Sequence, residues 1–195
     1  ELFIINNNLE IKKINLKNIK YENRNNLKVE NIEEYVFENL KQAVKRQSVS
    51  DVPIGLLLSS GIDSMSILSC LKELGNINNL KTFTAYYPND SYSETKPVEK
   101  LAKEWGFNNS SVLITPEIVY ENLDDIFYTF DNLDFIPVCV SKYIVSKLAS
   151  EEMKVLYAGA GGDEIFLGYP THIATVLNNR FNFNEKIFHF LKKLI

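Results

Sequence analysis

Histidine and cysteine are scarce in this 195-residue sequence, with two of each. Two His and two Cys cannot readily build a structural zinc site. Cys70 and Cys139 lie far apart in the chain and make no disulfide framework, which suits a reducing compartment, the cytoplasm. Arginine is rarer still in proportion: of 21 basic residues only Arg24, Arg46 and Arg180 are Arg, and the formal net charge is −4. A mildly acidic balance does not favour a nucleic-acid partner. No apolar run approaches the length that spans a bilayer, and Glu1 followed by Asn6–Asn8 carries no basic-then-apolar signal pattern. Neither a nucleic-acid nor a membrane partner is therefore expected.

What is present is ordinary for a globular chain: 45% hydrophobic and 24% charged residues, in a length that suits one domain with a real core. Asn and Ile are abundant, as coding bias in an AT-rich genome would give. Clusters such as Asn25–Asn26, Asn78–Asn79 and Asn178–Asn179 read as loop filler.

Residues 1–27 differ from the rest. Leu2–Ile5 and Leu9–Ile14 flank an Asn run, the pattern of a hairpin, and the polar stretch Asn15–Asn26 reads as a linker. A lone hairpin is too small to be stable, so it should pack on something else. From Val29, the residues Ile32, Val36, Leu40, Ala43 and Val44 recur at helical spacing, which predicts a helix to about Arg46.

Strands and helices then alternate. Val52–Leu58 is an almost wholly apolar run, as expected of a buried parallel strand. Met65, Leu68, Leu71 and Leu74 form a helical stripe ending at Gly75. Lys81–Tyr87 is strand-like, and Ser93 with Glu94 can start a helix carrying Val98, Leu101, Ala102 and Trp105 up to Gly106. Ser111–Ile114 is a third strand. Thr115-Pro116-Glu117 is a helix start, with a capping hydroxyl, a first-turn proline and an early acid. Helical patterns follow around Ile118–Phe130 and Val140–Glu152, and Lys154–Ala158 is a fourth buried strand. The alternation implies a three-layer, Rossmann-like α/β fold, a parallel sheet with helices on both faces. Ligands of such sheets bind beyond the carboxyl ends of the strands.

Two unusual loops stand at such ends. Leu58-Ser59-Ser60-Gly61-Ile62-Asp63-Ser64 joins a strand to a helix. Its small residues let backbone approach a ligand, the helix start offers unpaired N–H groups, and three hydroxyls add donors: an anion cradle suited to phosphate. It is no Walker A loop, because Gly61 is followed by Ile62-Asp63 instead of Lys-Ser/Thr. An acid within a phosphate cradle makes sense with a cation between them, so Asp63 reads as a magnesium ligand. The plain alternative is that Asp63 only favours the positive end of the helix dipole. The second loop, Gly159-Ala160-Gly161-Gly162-Asp163-Glu164, precedes a short apolar piece and Gly168-Tyr169-Pro170. Three glycines demand unusual backbone angles or close approach. Asp163 and Glu164 can be helix-start acids only, yet two Asp-bearing loops at adjacent strand ends can share one metal.

Residues 51–64 (DVPIGLLLSSGIDS) resemble the PP-loop segment of the asparagine synthetase family, where the loop reads S-G-G-x-D-S. Residues 159–170 (GAGGDEIFLGYP) resemble its later G-[ED]-G-[GS]-D-E-x-F-x-G-Y segment. Ser91-Tyr92-Ser93-Glu94 resembles its S-Y-x-E helix start, and Thr115-Pro116-Glu117 a recurrent element there. Order and spacing match from about residue 30 to 175. The resemblance implies a fold of the PP-loop ATP pyrophosphatase (adenine nucleotide alpha hydrolase) type. It also implies an amide-forming ligase in which ATP and Mg²⁺ activate a substrate carboxylate as an acyl-adenylate, releasing pyrophosphate, before ammonia from glutamine attacks. By this resemblance Ser59, Ser60, Gly61, Ile62, Asp63 and Ser64 cradle pyrophosphate. Asp63 and Asp163 hold the metal, and Leu58, Ala85 and Ala158-Gly159 contact adenine and ribose.

The implied partners are aspartate or another small carboxylate, and a glutaminase domain in cis or trans. A homodimer is one expected assembly. Residues 1–27 resemble the exit from that glutaminase domain, and 28–195 the synthetase domain, C-terminally incomplete. No counterpart of the family's distal catalytic Lys or of its N-terminal Cys nucleophile is found, so these residues alone are expected to make no asparagine.

Departures from the family pattern matter as much as the matches. Ser60 replaces the second glycine of the loop pair, which predicts a tighter cradle. Ala160 stands where the family carries an acid, or a Tyr in β-lactam-forming relatives, and a methyl cannot transfer protons. Loss of a positioned base costs about 10²–10⁴-fold unless another group substitutes. The family's D-E-P segment appears as Asp131-Asn132-Leu133. Ala160 and Asn132 favour a relative acting on another carboxylate, such as a peptide- or antibiotic-tailoring cyclase or a sugar amidotransferase. A non-enzymatic nucleotide-binding relative is the third reading. Elsewhere, Cys70 and Cys139 read as core thiols, Trp105 as packed under the sheet and His172 as a loop histidine beside the second loop. His189 belongs to a terminal apolar–basic helix.

Overall fold

The computed structural model describes residues 2–14, 30–88, 95–131 and 137–181. The expected linker, the Ser93–Glu94 helix start, Asn132 and the His189 helix lie outside the described residues. The chain divides into two compact units, Glu1–Ile32 and Glu33–Ile195. In the first, strands β1 (Leu2–Ile5) and β2 (Ile11–Ile14) pair antiparallel, with Leu2 opposite Ile14 and Ile5 opposite Ile11. The expected second strand begins two residues late. The Asn6 side-chain oxygen accepts from the Asn8 and Glu10 amides, each at 3.0 Å, and this closes the turn with Leu9 at φ 62°, in the left-handed region where no strand continues.

The second unit holds the sheet. Helix α1 (Ile32–Gln47) leads to strand β3 (Ile54–Leu57), then α2 (Ile62–Glu73), β4 (Lys81–Tyr86), α3 (Thr95–Trp105) and β5 (Asn108–Leu113). Helices α4 (Pro116–Glu121), α5 (Leu123–Phe130) and α6 (Pro137–Ser150) precede β6 (Val155–Tyr157), α7 (Gly162–Phe166) and α8 (Pro170–Phe181). Strand order is β5-β4-β3-β6 and every pair is parallel. The chain steps outward from β3 through β4 to β5, then returns to place β6 on the other side of β3.

Alternation along β3 separates two layers. Leu56 and Leu58 join a cluster with Val44 of α1, Leu68 and Leu71 of α2, and Val98 and Ala102 of α3. Leu57 points the other way and packs with Phe83 of β4 and with Val145 and Ala149 of α6. A third cluster of Ile114, Ile126, Val140 and Ile144 binds α5 to α6. Helices thus cover both faces, as expected of a parallel sheet. Trp105 packs at the margin of the first cluster with Lys72 over its ring, 3.7 Å from the centroid, so it is only half-buried. Cys70 is wholly buried, and burial pushes its thiol up, as a core thiol requires.

Three features of this unit differ from expectation. Strand β5 starts at Asn108 instead of Ser111, because its polar residues pair along the whole of β4, and the Asn109 side-chain oxygen accepts from the buried Thr82 hydroxyl at 2.8 Å. The helical stretch 118–130 is two helices. Asn122 interrupts it by donating from its side chain to the Ile118 carbonyl at 2.8 Å, a local bond that competes with the helical ladder. Strand β6 is less buried than expected, since Val155 is 39% exposed and only Tyr157 is closed off. No described helix is long and apolar enough to cross a membrane.

Candidate functional site

The topology decides where the two loops go. Strand order reverses between β3 and β6, so the loops leaving their carboxyl ends diverge from one point and leave a crevice beside it. Leu58, its amide donating to the Phe83 carbonyl at 2.9 Å, extends β3 into the first loop. The loop is tied internally. The Ser59 amide donates to Ser64 Oγ at 3.1 Å, the Gly61 amide to Ser59 Oγ at 3.1 Å, and Ser64 Oγ lies 3.1 Å from the Ser59 carbonyl it can donate to. Ser64 is buried, so its hydroxyl shapes the turn. Gly61 precedes α2 at φ −70° and ψ 148° and offers no side-chain cap, which leaves the first amides of a 12-residue helix open to a ligand.

Glycines of the second loop press against the first. A Cβ on Gly159 would stand 2.7 Å from the Ser64 nitrogen and 3.0 Å from the Asp63 carbonyl carbon. A Cβ on Gly162 would fall on the Asp63 carboxylate, and one on Gly168 on the Asp163 carboxylate. Gly161, at φ 106°, turns the chain between them. The demand for glycine read from the sequence is therefore met by close approach of two loops from strands about a hundred residues apart in the chain.

Around this junction lies a cleft of about 820 Å³, within the size range of small-molecule sites. Leu58, Ser59, Gly61, Ile62, Asp63, Ser64, Ala85, Ala158, Gly159 and Asp163 all line it. Ser60 is exposed and is not in the lining. Leu57, Phe83, Ala85 and Val145 supply an apolar floor, continuous with the cluster between sheet and α6. The lining also includes Tyr86, the last residue of β4, Tyr87 just after it, and Lys142 and Ser146 on α6. Sequence reasoning missed the α6 pair, because only the packing of α6 over β4 brings that helix to the strand ends. Ala160 lines the cleft too, as do Glu164 and Tyr169, which the sequence marks without a role.

The charges are distributed unevenly. The Tyr169 hydroxyl donates to Glu164 Oε1 at 2.7 Å. That bond holds the Glu164 carboxyl below the usual carboxylate range, and it raises the Tyr169 phenol, with burial and the charges of Glu164, Asp163 and Asp63 adding to the rise. The His172 ring meets the Tyr169 ring edge-on at 5.4 Å, and its buried Nδ1 has no hydrogen-bond partner among the described residues. Among the described residues no group of three or more His, Cys, Asp or Glu side chains converges to hold a metal. Asp63 and Asp163 both line the cleft, and their carboxylates are hard oxygen donors of the kind that Mg²⁺ takes together with phosphate oxygens and water.

Known proteins resemble this chain in sequence. The sequence model of the asparagine synthase family matches residues 36–192. Asparagine synthetase [glutamine-hydrolyzing] 1 of Bacillus subtilis (strain 168) is 38% identical over 120 residues, 62% of this chain and 19% of the relative. The asparagine synthetase [glutamine-hydrolyzing] of Rattus norvegicus is 32% identical over 135 residues, and that of Homo sapiens 29% over 138, each covering 65% of this chain and 24% of the relative. The chain spans 19–24% of the length of these relatives.

Proposed function

Because the chain belongs to the asparagine synthase family, we propose that its cleft binds ATP with Mg²⁺ and serves an amide-forming ligase that activates a substrate carboxylate by adenylation. The observation that supports this best is the contact of the two loops, which sets the Asp63 carboxylate against Gly162 and one residue from Asp163. In this reading the open amides of α2 and the Ser59 hydroxyl hold the departing pyrophosphate. Leu58, Ala85, Ala158 and Gly159 flank the adenosine, whose base lies over the apolar floor. Asp63 and Asp163 hold Mg²⁺, which when bound offsets the negative charge that grows on the leaving pyrophosphate. Ammonia then comes from glutamine hydrolysed by a glutaminase domain, in the same chain or a partner, as the relatives' names suggest for them. Residues 1–27 would lead from such a domain, and the ligase would work in the cytoplasm.

A second reading is favoured by Ala160. It lines the cleft and brings no proton-transferring group, which suits an acceptor other than aspartate, one whose attack needs a different base. One experiment tests the core of the proposal: ATP affinity with and without Mg²⁺, for the wild type and for Asp63→Ala. The wild type should bind more tightly with Mg²⁺, and the variant should lose that dependence. If neither protein binds ATP, ligase function is untenable for this cleft. Incubation with ATP, Mg²⁺, aspartate and ammonia, followed for pyrophosphate and amide, then separates the acceptors.

A further inference from the structure

Negative charge dominates the cleft. Asp63, Asp163 and Glu164 line it, and against them stands Lys142, the one cationic side chain among the described residues of the lining. Lys142 lies in the first half of α6. Its helical spacing places it beside Val145, which seals the helix onto the sheet, and one turn before Ser146, which also lines the cleft. Several other lysines are engaged. Lys41 reaches Glu38 and Glu73, Lys81 reaches Glu152, Lys147 donates to Asn122, and Lys72 covers Trp105. No hydrogen bond, ion pair or ring contact with a described residue engages the Lys142 ammonium.

An ammonium on a flexible stem, exposed at the wall of an acidic cleft, is a point charge able to meet an incoming anion. The α6 wall belongs to a different element from both loops, so this charge reaches a part of the ligand that the cradle amides do not hold. We propose that Lys142 contacts substrate, its ammonium taking an oxyanion at the α6 side of the cleft. That oxyanion is a phosphate oxygen of the nucleotide or the carboxylate of the acceptor. The inference rests on the nucleotide reading above and adds to it a residue and a direction of approach.

The test uses the 195-residue chain as wild type, Lys142→Met and Lys142→Arg. Calorimetric titration is done with Mg-ATP, with adenosine, and with L-aspartate in the presence of a non-hydrolysable Mg-ATP analogue. Loss of a charge-assisted bond corresponds to a weakening of about 10- to 100-fold. If Lys142→Met weakens Mg-ATP by that factor and leaves adenosine unchanged, the oxyanion is phosphate. If Mg-ATP is unchanged and aspartate weakens, it is the carboxylate. In either case Lys142→Arg should restore part of the affinity, and the melting temperature without ligand should stay that of the wild type, since the side chain is exposed. Unchanged affinity for every probe overturns the proposal. A wild type that binds none of them overturns the nucleotide reading with it, which tells the two failures apart.

Discussion

Gly159 and Gly162 stand at the same loop junction, yet a methyl group there meets different obstacles. At Gly159 it meets backbone, the Ser64 nitrogen at 2.7 Å in the first turn of α2, and helical backbone cannot step aside. Gly159→Ala should therefore destabilise the fold by about 1–3 kcal/mol, the range of an overpacked site, seen as a lower urea midpoint. At Gly162 the obstacle is the end of the Asp63 side chain, which can swing away. Gly162→Ala should change stability by less than about 0.5 kcal/mol. It should nevertheless weaken Mg-ATP binding at least about tenfold and abolish the benefit of added Mg²⁺, because the displaced carboxylate is the proposed metal ligand. A Gly162→Ala protein that binds Mg-ATP normally would count against Asp63 in that role. From sequence these glycines announce only that side chains are unwelcome. Which atoms exclude them depends on a strand pairing that no local pattern encodes.

Among the elements, helix starts are read well from sequence and helix interruptions poorly. Thr115-Pro116-Glu117 opens α4 as its residues dictate, with the Thr115 hydroxyl accepting from the Ile118 amide and Pro116 in the first turn. The same hydroxyl holds the Glu117 carboxyl below its usual range, with help from a backbone amide. A depressed carboxyl stabilises the folded state above its unfolded pKa, and that contribution fades as pH falls through the folded value. Thr115→Ala should cost about 1 kcal/mol of cap energy at neutral pH. The gap to the wild type should narrow as pH falls and Glu117 takes up its proton in both proteins; urea midpoints at pH 7 and at successively lower pH measure it. The break at Asn122 is another matter. Its side chain donates to Ile118 and accepts from Lys147 of α6, and this second partner is 25 residues away. The apolar spacing on either side continues through the break, so periodicity alone joins α4 and α5 into one helix. Likewise the polar start of β5 gives no strand signal until Thr82 and Thr84 of β4 lie beside it.

For the whole molecule, the parallel sheet and its covering helices follow from the alternation of apolar runs, and both loops of the site fall at strand ends as that alternation requires. The order of the strands does not follow from it, and the α6 wall of the cleft is invisible without that order. Stability should rest on the layer between β3 and α2. Leu68 is fully buried there against Leu56, so Leu68→Ala should cost about 2–5 kcal/mol in urea unfolding, with the loss depending on how far the layer relaxes. Ligand linkage offers a check on the site at the same scale. Mg-ATP at a hundred times its dissociation constant should raise the unfolding free energy by about 2.7 kcal/mol in the wild type. Asp63→Ala should show less of that gain at the same ligand concentration.

The position of β6 beside β3 also sets an order of assembly. The first loop is made of neighbours in the chain and has its β4 and β5 support as soon as residue 113 is available. Its facing loop depends on a three-residue strand that must find β3 across about a hundred intervening residues, a slow closure by the usual dependence on contact order. During synthesis the chain therefore carries half a cleft for as long as it takes to make α4, α5 and α6. In that interval the Asp63 carboxylate waits for a partner loop that the ribosome has not yet released.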